Sequence, residues 1–135
     1  MRDTIRATLA EIKPLIITHA KESLFGDVEY ANTCYVSYTR KICESFLYGC
    51  GIDLACACIE DSEPAVQVIG AFYLLPYETT VATRKLQYLR KTAPIEVATN
   101  AGTILQEWRK GNLKFPRLVQ GSVVYVEVRD LQQSL

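Results

Sequence analysis

The stretch Pro94-Ile95-Glu96-Val97-Ala98-Thr99-Asn100-Ala101-Gly102-Thr103-Ile104-Leu105-Gln106-Glu107-Trp108-Arg109-Lys110-Gly111 carries the signals of an α-helix from start to stop. Proline opens the first turn, where its missing N–H is no loss. Val97, Ala101, Ile104, Leu105 and Trp108 recur at helical spacing and make one apolar face. Arg109 and Lys110 complement the negative end of the helix dipole, and Gly111 supplies a left-handed cap. This is the best-defined element in the chain, and most of what precedes it reads the same way.

Working back, Thr79–Lys91 is expected to be helical, with Val81, Leu86 and Leu89 inward and Arg84, Lys85, Arg90 and Lys91 outward. Asp61-Ser62-Glu63-Pro64 is a helix-start signal in which Ser62 can cap. A buried helix over Glu63–Leu75 follows from it, although Phe72-Tyr73-Leu74-Leu75 also suits a buried strand. Ile52–Ile59 stays open: Ile52, Leu54, Cys56 and Cys58 alternate as a strand would, while Ala55 and Ala57 favour helix. A second helix begins near Asp27 and carries the stripe Ala31, Tyr35, Tyr38, Ile42 and Phe46, before Gly49 and Gly51 break the chain. The first helix starts with Asp3 as its N-cap, carries Ile5, Leu9, Ile12, Ile16 and Ala20, and ends at Gly26. Pro14 is expected to kink or split it, because proline lacks an N–H and crowds the preceding turn.

Working forward, Ser122–Val128 is the clearest strand. A lone strand does not stand by itself and needs a partner in this chain, in a sister subunit or in another protein. The expected fold is therefore mainly α: a single domain over 1–135, with a small bundle of four to five helices (about 3–111). A C-terminal strand or hairpin and a tail (about 112–135) complete it.

Hydrophobic residues make up 49 % of the 135, enough apolar surface to offset the entropy of ordering a core. The longest strongly apolar run, Ala65–Pro76, is too short to span a bilayer, and the first residues lack a secretory h-region, so no membrane partner is expected. Fifteen basic residues balance fifteen acidic ones, which speaks against a dedicated nucleic-acid binder. The balance is uneven along the chain. Residues 1–67 carry six Lys/Arg against ten Asp/Glu (−4), and residues 68–135 carry nine against five (+4). Head-to-tail self-association would use such a dipole; the simpler reading scatters the asymmetry around the surface.

No constellation assembles a catalytic site. Cys43, Cys50, Cys56 and Cys58 lack the paired short spacings of a zinc site, and with Cys34 they make an odd count that suits reduced, buried thiols. His19, the single histidine, has no nucleophile motif to serve. Glu60, Asp61 and Glu63 are explained by the positive end of the helix that follows them. No phosphate-cradling loop is present, and no catalytic residue, metal or cofactor is expected. The basic residues Arg84, Lys85, Arg90, Lys91, Arg109, Lys110, Lys114 and Arg117 make either a phosphate-contacting patch or a solvated face.

Residues from about 30 to 116 contain three further features in order: the helix end Ser45-Phe46-Leu47-Tyr48-Gly49, the proline-led Glu63-Pro64-Ala65-Val66, and the closing helix Ile104–Gly111 with its Gly111-Asn112-Leu113 turn. In this pattern the chain resembles the small head–tail adaptor (neck) proteins of tailed phages, including the Mu-like type. The resemblance implies a virion assembly protein: a homo-oligomeric ring docked on the portal, with other neck and tail proteins as partners and non-specific DNA contact through its lumen. The residues it would use are Arg84, Lys85, Arg90, Lys91, Arg109, Lys110 and Arg117 on the basic face, and Val124 and Tyr125 on the strand, within a tail from Arg117 to Leu135 that reaches a partner. The terminal strand and the Cys- and Tyr-rich middle depart from the family pattern. The alternative from another class is a small intracellular regulatory or inhibitory binding protein acting as a monomer or dimer.

Overall fold

Apolar stripes at helical spacing, punctuated by glycine and proline, divide the chain into helices nearly to its end. A computed structural model describes residues 2–133. Its elements are α1 (Arg2–Phe25), α2 (Val28–Leu47), α3 (Gly51–Ile59), α4 (Pro64–Leu74), α5 (Thr79–Thr92), α6 (Ile95–Lys110), β1 (Lys114–Val119), β2 (Ser122–Glu127) and α7 (Val128–Gln133). The fold is mainly helical with one small antiparallel sheet. Seven helices stand among the described residues where four to five were expected. The additions are α3, whose sequence was ambiguous, and α7, which falls in the expected tail.

α1 and α2 pack side by side. Ile12 and Ile16 are buried between them, with Ile5, Leu9 and Ala20 partly so. Pro14 does not split α1: it sits exposed within the helix, where the carbonyl left without a partner can face water. Asp3 lies in the first turn and is not the cap. Asp27 does cap α2, its carboxylate accepting from the Tyr30 N–H at 3.1 Å. A Lys41–Glu11 ion pair of 2.8 Å ties the two helices on the outside.

α3 is a helix because its buried residues, Leu54, Ala55 and Cys58, follow helical spacing, whereas the strand reading required Ile52 and Cys56 to share their face. The reason for close docking lies in α4, where Gly70 brings the two backbones together. A Cβ there would stand 2.6 Å from the Ala55 carbonyl oxygen and 2.7 Å from Cys58 Cβ. α4 begins at Pro64, as expected, but Ser62 does not cap it. Instead Asp61 accepts from the Glu63 N–H at 3.0 Å and pairs with Lys13 at 3.1 Å, tethering the α3–α4 link to α1.

α4 contains no Asp, Glu, Lys or Arg and touches α1, α3, α5 and α6; Val66, Ala71 and Leu74 are wholly buried. It is the centre of the core, and Phe72–Leu74 are helical in it rather than extended. In α5 the buried residues are Ala82, Leu86 and Leu89, four and three apart; Val81, expected inward, is 48 % exposed because it stands one position off that stripe. α6 matches its sequence signals to the cap, where Gly111 takes φ 75° and its N–H reaches the last turn.

The strand finds its partner in this chain. β1 and β2 form a two-stranded hairpin, with Phe115 opposite Val126 and Arg117 opposite Val124. Phe115 is buried and stacks on Phe72 at 4.7 Å, with the Trp108 ring edge-on at 6.3 Å, so the hairpin is pinned to α4 and α6. α7 then turns Leu131 back into the core, so the tail is folded against the body at least that far. Ser134 and Leu135 lie outside the described residues.

Candidate functional site

The basic residues do not form one patch. α5 and α6 are neighbours joined by the short link Ala93–Pro94, and the Arg90 side chain lies over Gly102, whose added Cβ would stand 3.6 Å from Arg90 Cδ. Arg109 and Lys110 sit at the far end of α6, seven residues beyond Gly102 or ~10 Å of helical rise. Arg84, Arg90, Lys91 and Arg109 are exposed. Lys85 is half-buried, its Nζ 5.3 Å from the centre of the Tyr88 ring, and Lys110 pairs loosely with Glu107 at 4.0 Å. Arg117 stands apart from all of these, on β1.

Arg117 belongs to a cleft. Where α2 ends and α3 begins, the break at Gly49 leaves a corner against the C-terminal end of α4 and β1. The space between them is about 330 Å³, walled by Cys43, Phe46, Tyr73, Tyr77 and Pro116, with Arg117 as its single Lys or Arg. No Asp or Glu stands among its lining residues. Phe46 and Tyr77 stack at 5.6 Å, and Phe46 lies 6.0 Å from Tyr73, giving the wall a rigid aromatic surface. Burial raises the Tyr77 hydroxyl above its ordinary range and the nearby Arg117 charge opposes that rise. Leu47 and Ile52 form the lip and, with the adjacent Tyr48, are exposed large apolar side chains.

Tyr125, on β2, is half exposed and its hydroxyl lies 2.6 Å from that of Tyr35 on α2. That contact latches the hairpin to the tyrosine stripe. Behind it Tyr35, Tyr38 and His19 form a ring cluster with centroids 5.3–5.7 Å apart, and the Tyr38 hydroxyl meets His19 Nδ1 at 3.1 Å. Burial lowers the His19 pKa and raises those of Tyr35 and Tyr38, so all three are neutral near pH 7. His19 and Tyr38 also border a second, mostly apolar hollow between α1, α4 and α6. Val124 is exposed on β2.

All five cysteines are free. Burial pushes the Cys43 thiol up to about 11 and that of Cys58 up to about 12, so both stay protonated and are poor nucleophiles. Cys56 donates weakly to Glu78 at 3.8 Å. Among the described residues no group of three or more His, Cys, Asp or Glu is placed to hold a metal ion, and no helix is long and apolar enough to cross a membrane.

Compared with protein-family models, curated proteins and solved structures, the chain matches none. The surfaces themselves must carry the functional reading. Of the residues expected from the sequence to meet a partner, Arg117 alone lines the aromatic cleft; Cys43, weighed in the sequence as a metal ligand, stands in its wall. Phe46, Leu47, Ile52, Tyr73 and Tyr77 were not marked as site residues. The signal that announces them is the Phe46-Leu47-Tyr48-Gly49 helix end, which leaves Leu47 and Tyr48 facing solvent.

Proposed function

We propose that this chain is an assembly protein that works through its surfaces, as a head–tail connector subunit of a tailed phage forming a ring docked on the portal. The observation that carries this reading is the distribution of exposed apolar side chains on α2. Val28 and Tyr30 stand out at its start, Val36 along its length, and Leu47, Tyr48 and Ile52 at or just beyond its end, beside the Arg117 cleft. Unpaired apolar surface running from one end of a helix to the other suits a protein that contacts more than one neighbour. The division of charge supports it. The acidic excess lies at Asp27, ahead of α2, and at Glu60, Asp61 and Glu63 in the α3–α4 link, while the basic excess lies on α5 and β1. In this reading Arg84, Lys85, Arg90, Lys91, Arg109 and Lys110 face a neighbour or DNA, and Arg117, Val124 and Tyr125 belong to a partner-facing edge.

The test is native mass, by light scattering on untagged protein with and without portal protein. A high-order ring, formed alone or on the portal, supports the connector. A monomer or dimer indifferent to portal protein shifts the reading to a small regulatory or inhibitory binding protein, for which the cleft is the natural docking point.

A further inference from the structure

The two ends of α2 differ in a complementary way. At its start, the corner Asp27-Val28-Glu29-Tyr30 projects Val28 and Tyr30, 59 % and 53 % exposed, among the carboxylates of Glu22, Asp27 and Glu29. No Lys or Arg occurs between Lys21 and Arg40 to neutralise them. At its other end is the aromatic cleft, whose one cation is Arg117 and whose lining has no acid. Among the described residues Arg117 has no salt-bridge partner. The cleft, about 330 Å³, has room for the side chains of Val28 and Tyr30.

We propose that the acidic, apolar corner of one copy seats in the Arg117 cleft of the next, joining copies head to tail along α2. This rests on the assembly reading above and names the contact. The charges select the pairing: corner against corner sets carboxylates together, and cleft against cleft sets guanidinium against guanidinium. Corner into cleft places carboxylates at Arg117 and tyrosine against the Phe46–Tyr77 stack. Knob and socket lie at opposite ends of one helix, 19 residues or about 28 Å apart, so one subunit can engage two neighbours at once. Such a contact is heterologous and propagates until it closes.

Two variants each block one half, Tyr30→Lys for the corner and Arg117→Glu for the cleft, with Glu29→Lys and Leu47→Asp as second choices if either melts early by circular dichroism. Sedimentation velocity of the full chain over a range of concentrations is the readout. Wild type associates; each variant alone needs at least about tenfold more protein to do so. An equimolar mixture of the two forms dimers and stops there, because only one intact knob and one intact socket remain. Variants that associate like wild type, or a mixture no better than its components, overturn the contact while leaving assembly through another surface standing. Wild type that is monomeric alone yet joins portal protein also overturns the contact and spares the connector. Wild type that is monomeric and ignores the portal removes both.

Discussion

Gly70 is the residue through which α3 and α4 meet, and nothing but hydrogen fits there. The atoms an added Cβ would strike include the Ala55 carbonyl oxygen and the Ile59 nitrogen, backbone that cannot swing aside. Gly70→Ala gains helix propensity, about 1 kcal/mol, but must push two helices apart. Overpacking of this kind costs about 1–3 kcal/mol. A net loss in the urea midpoint at unchanged slope is expected; a gain would show that the helices do not approach this closely. In the sequence Gly70 looks like a blemish in an apolar helix, because its meaning lies entirely in a contact across the fold. His19 gives a second test at this scale. Its folded pKa lies below the ordinary 6.5, so its contribution is full above pH 6.5 and is lost as pH falls through the folded value. At the alkaline side Cys58, raised to about 12, contributes below about 9 and loses that contribution as pH climbs toward 12. Urea melts at pH 7 and 5 should therefore show an acid-side fall that His19→Gln flattens. An unchanged slope in that variant would assign the acid loss elsewhere.

At the scale of elements, the hairpin shows how local chemistry fixes a register. Gln120 and Gly121 both have positive φ, 48° and 81°, which makes the two-residue turn whose twist matches the strands. Counting from the closing pair Val119–Ser122, hydrogen-bonded and open pairs alternate, so Pro116 opposite Tyr125 falls at an open pair where no N–H is needed. Val124 opposite Arg117 falls at a bonded one. Gln120→Asn should stabilise the fold by on the order of 0.5 kcal/mol, since asparagine tolerates the left-handed region better than glutamine. A fall in melting temperature would count against this turn. Val124→Pro should strip a ladder bond, loosen Tyr125 from Tyr35 and raise hydrogen exchange across both strands while leaving α1–α4 protected. β2 was legible from its alternating β-branched residues, but β1 was not, because Lys114-Phe115-Pro116-Arg117 contains a proline whose harmlessness depends on register. α3 was ambiguous for a related reason. Nine residues rich in Ala and Cys satisfy both periods, and only the groove offered by Gly70 selects the helix.

Across the whole molecule, residues 1–67 carry an acidic excess and residues 68–135 a basic one, a division visible as a charge count before it had any geometry. The acids gather at Asp27 and at Glu60, Asp61 and Glu63, the bases on α5 and β1. What the count left open was whether opposite charges cancel inside the subunit. Some do, at Lys13–Asp61 and Lys41–Glu11, but both pairs join elements within the acidic half and leave its excess untouched. The excess of each half therefore faces outward, where its strength depends on screening. The screening length falls from ~8 Å at 0.15 M salt to ~3 Å at 1 M, about the length of one ion pair. If carboxylates at Asp27 and Glu29 meet Arg117 of a neighbour, self-association should weaken several-fold between 0.05 M and 1 M sodium chloride, with light scattering as the readout. If apolar burial at Tyr30, Leu47 and Tyr48 alone joined the copies, the same salt would leave association unchanged or strengthen it. The two variants sharpen the contrast. Leu47→Asp should weaken association at every salt concentration, because it removes apolar contact and adds a like charge to the approaching carboxylates. Arg117→Leu should weaken it chiefly at low salt, bringing the chain to the level wild type reaches at 1 M. Equal loss for Arg117→Leu at both salts would mean that Arg117 acts by shape and not by charge, and the electrostatic selection of head-to-tail pairing would fall with it.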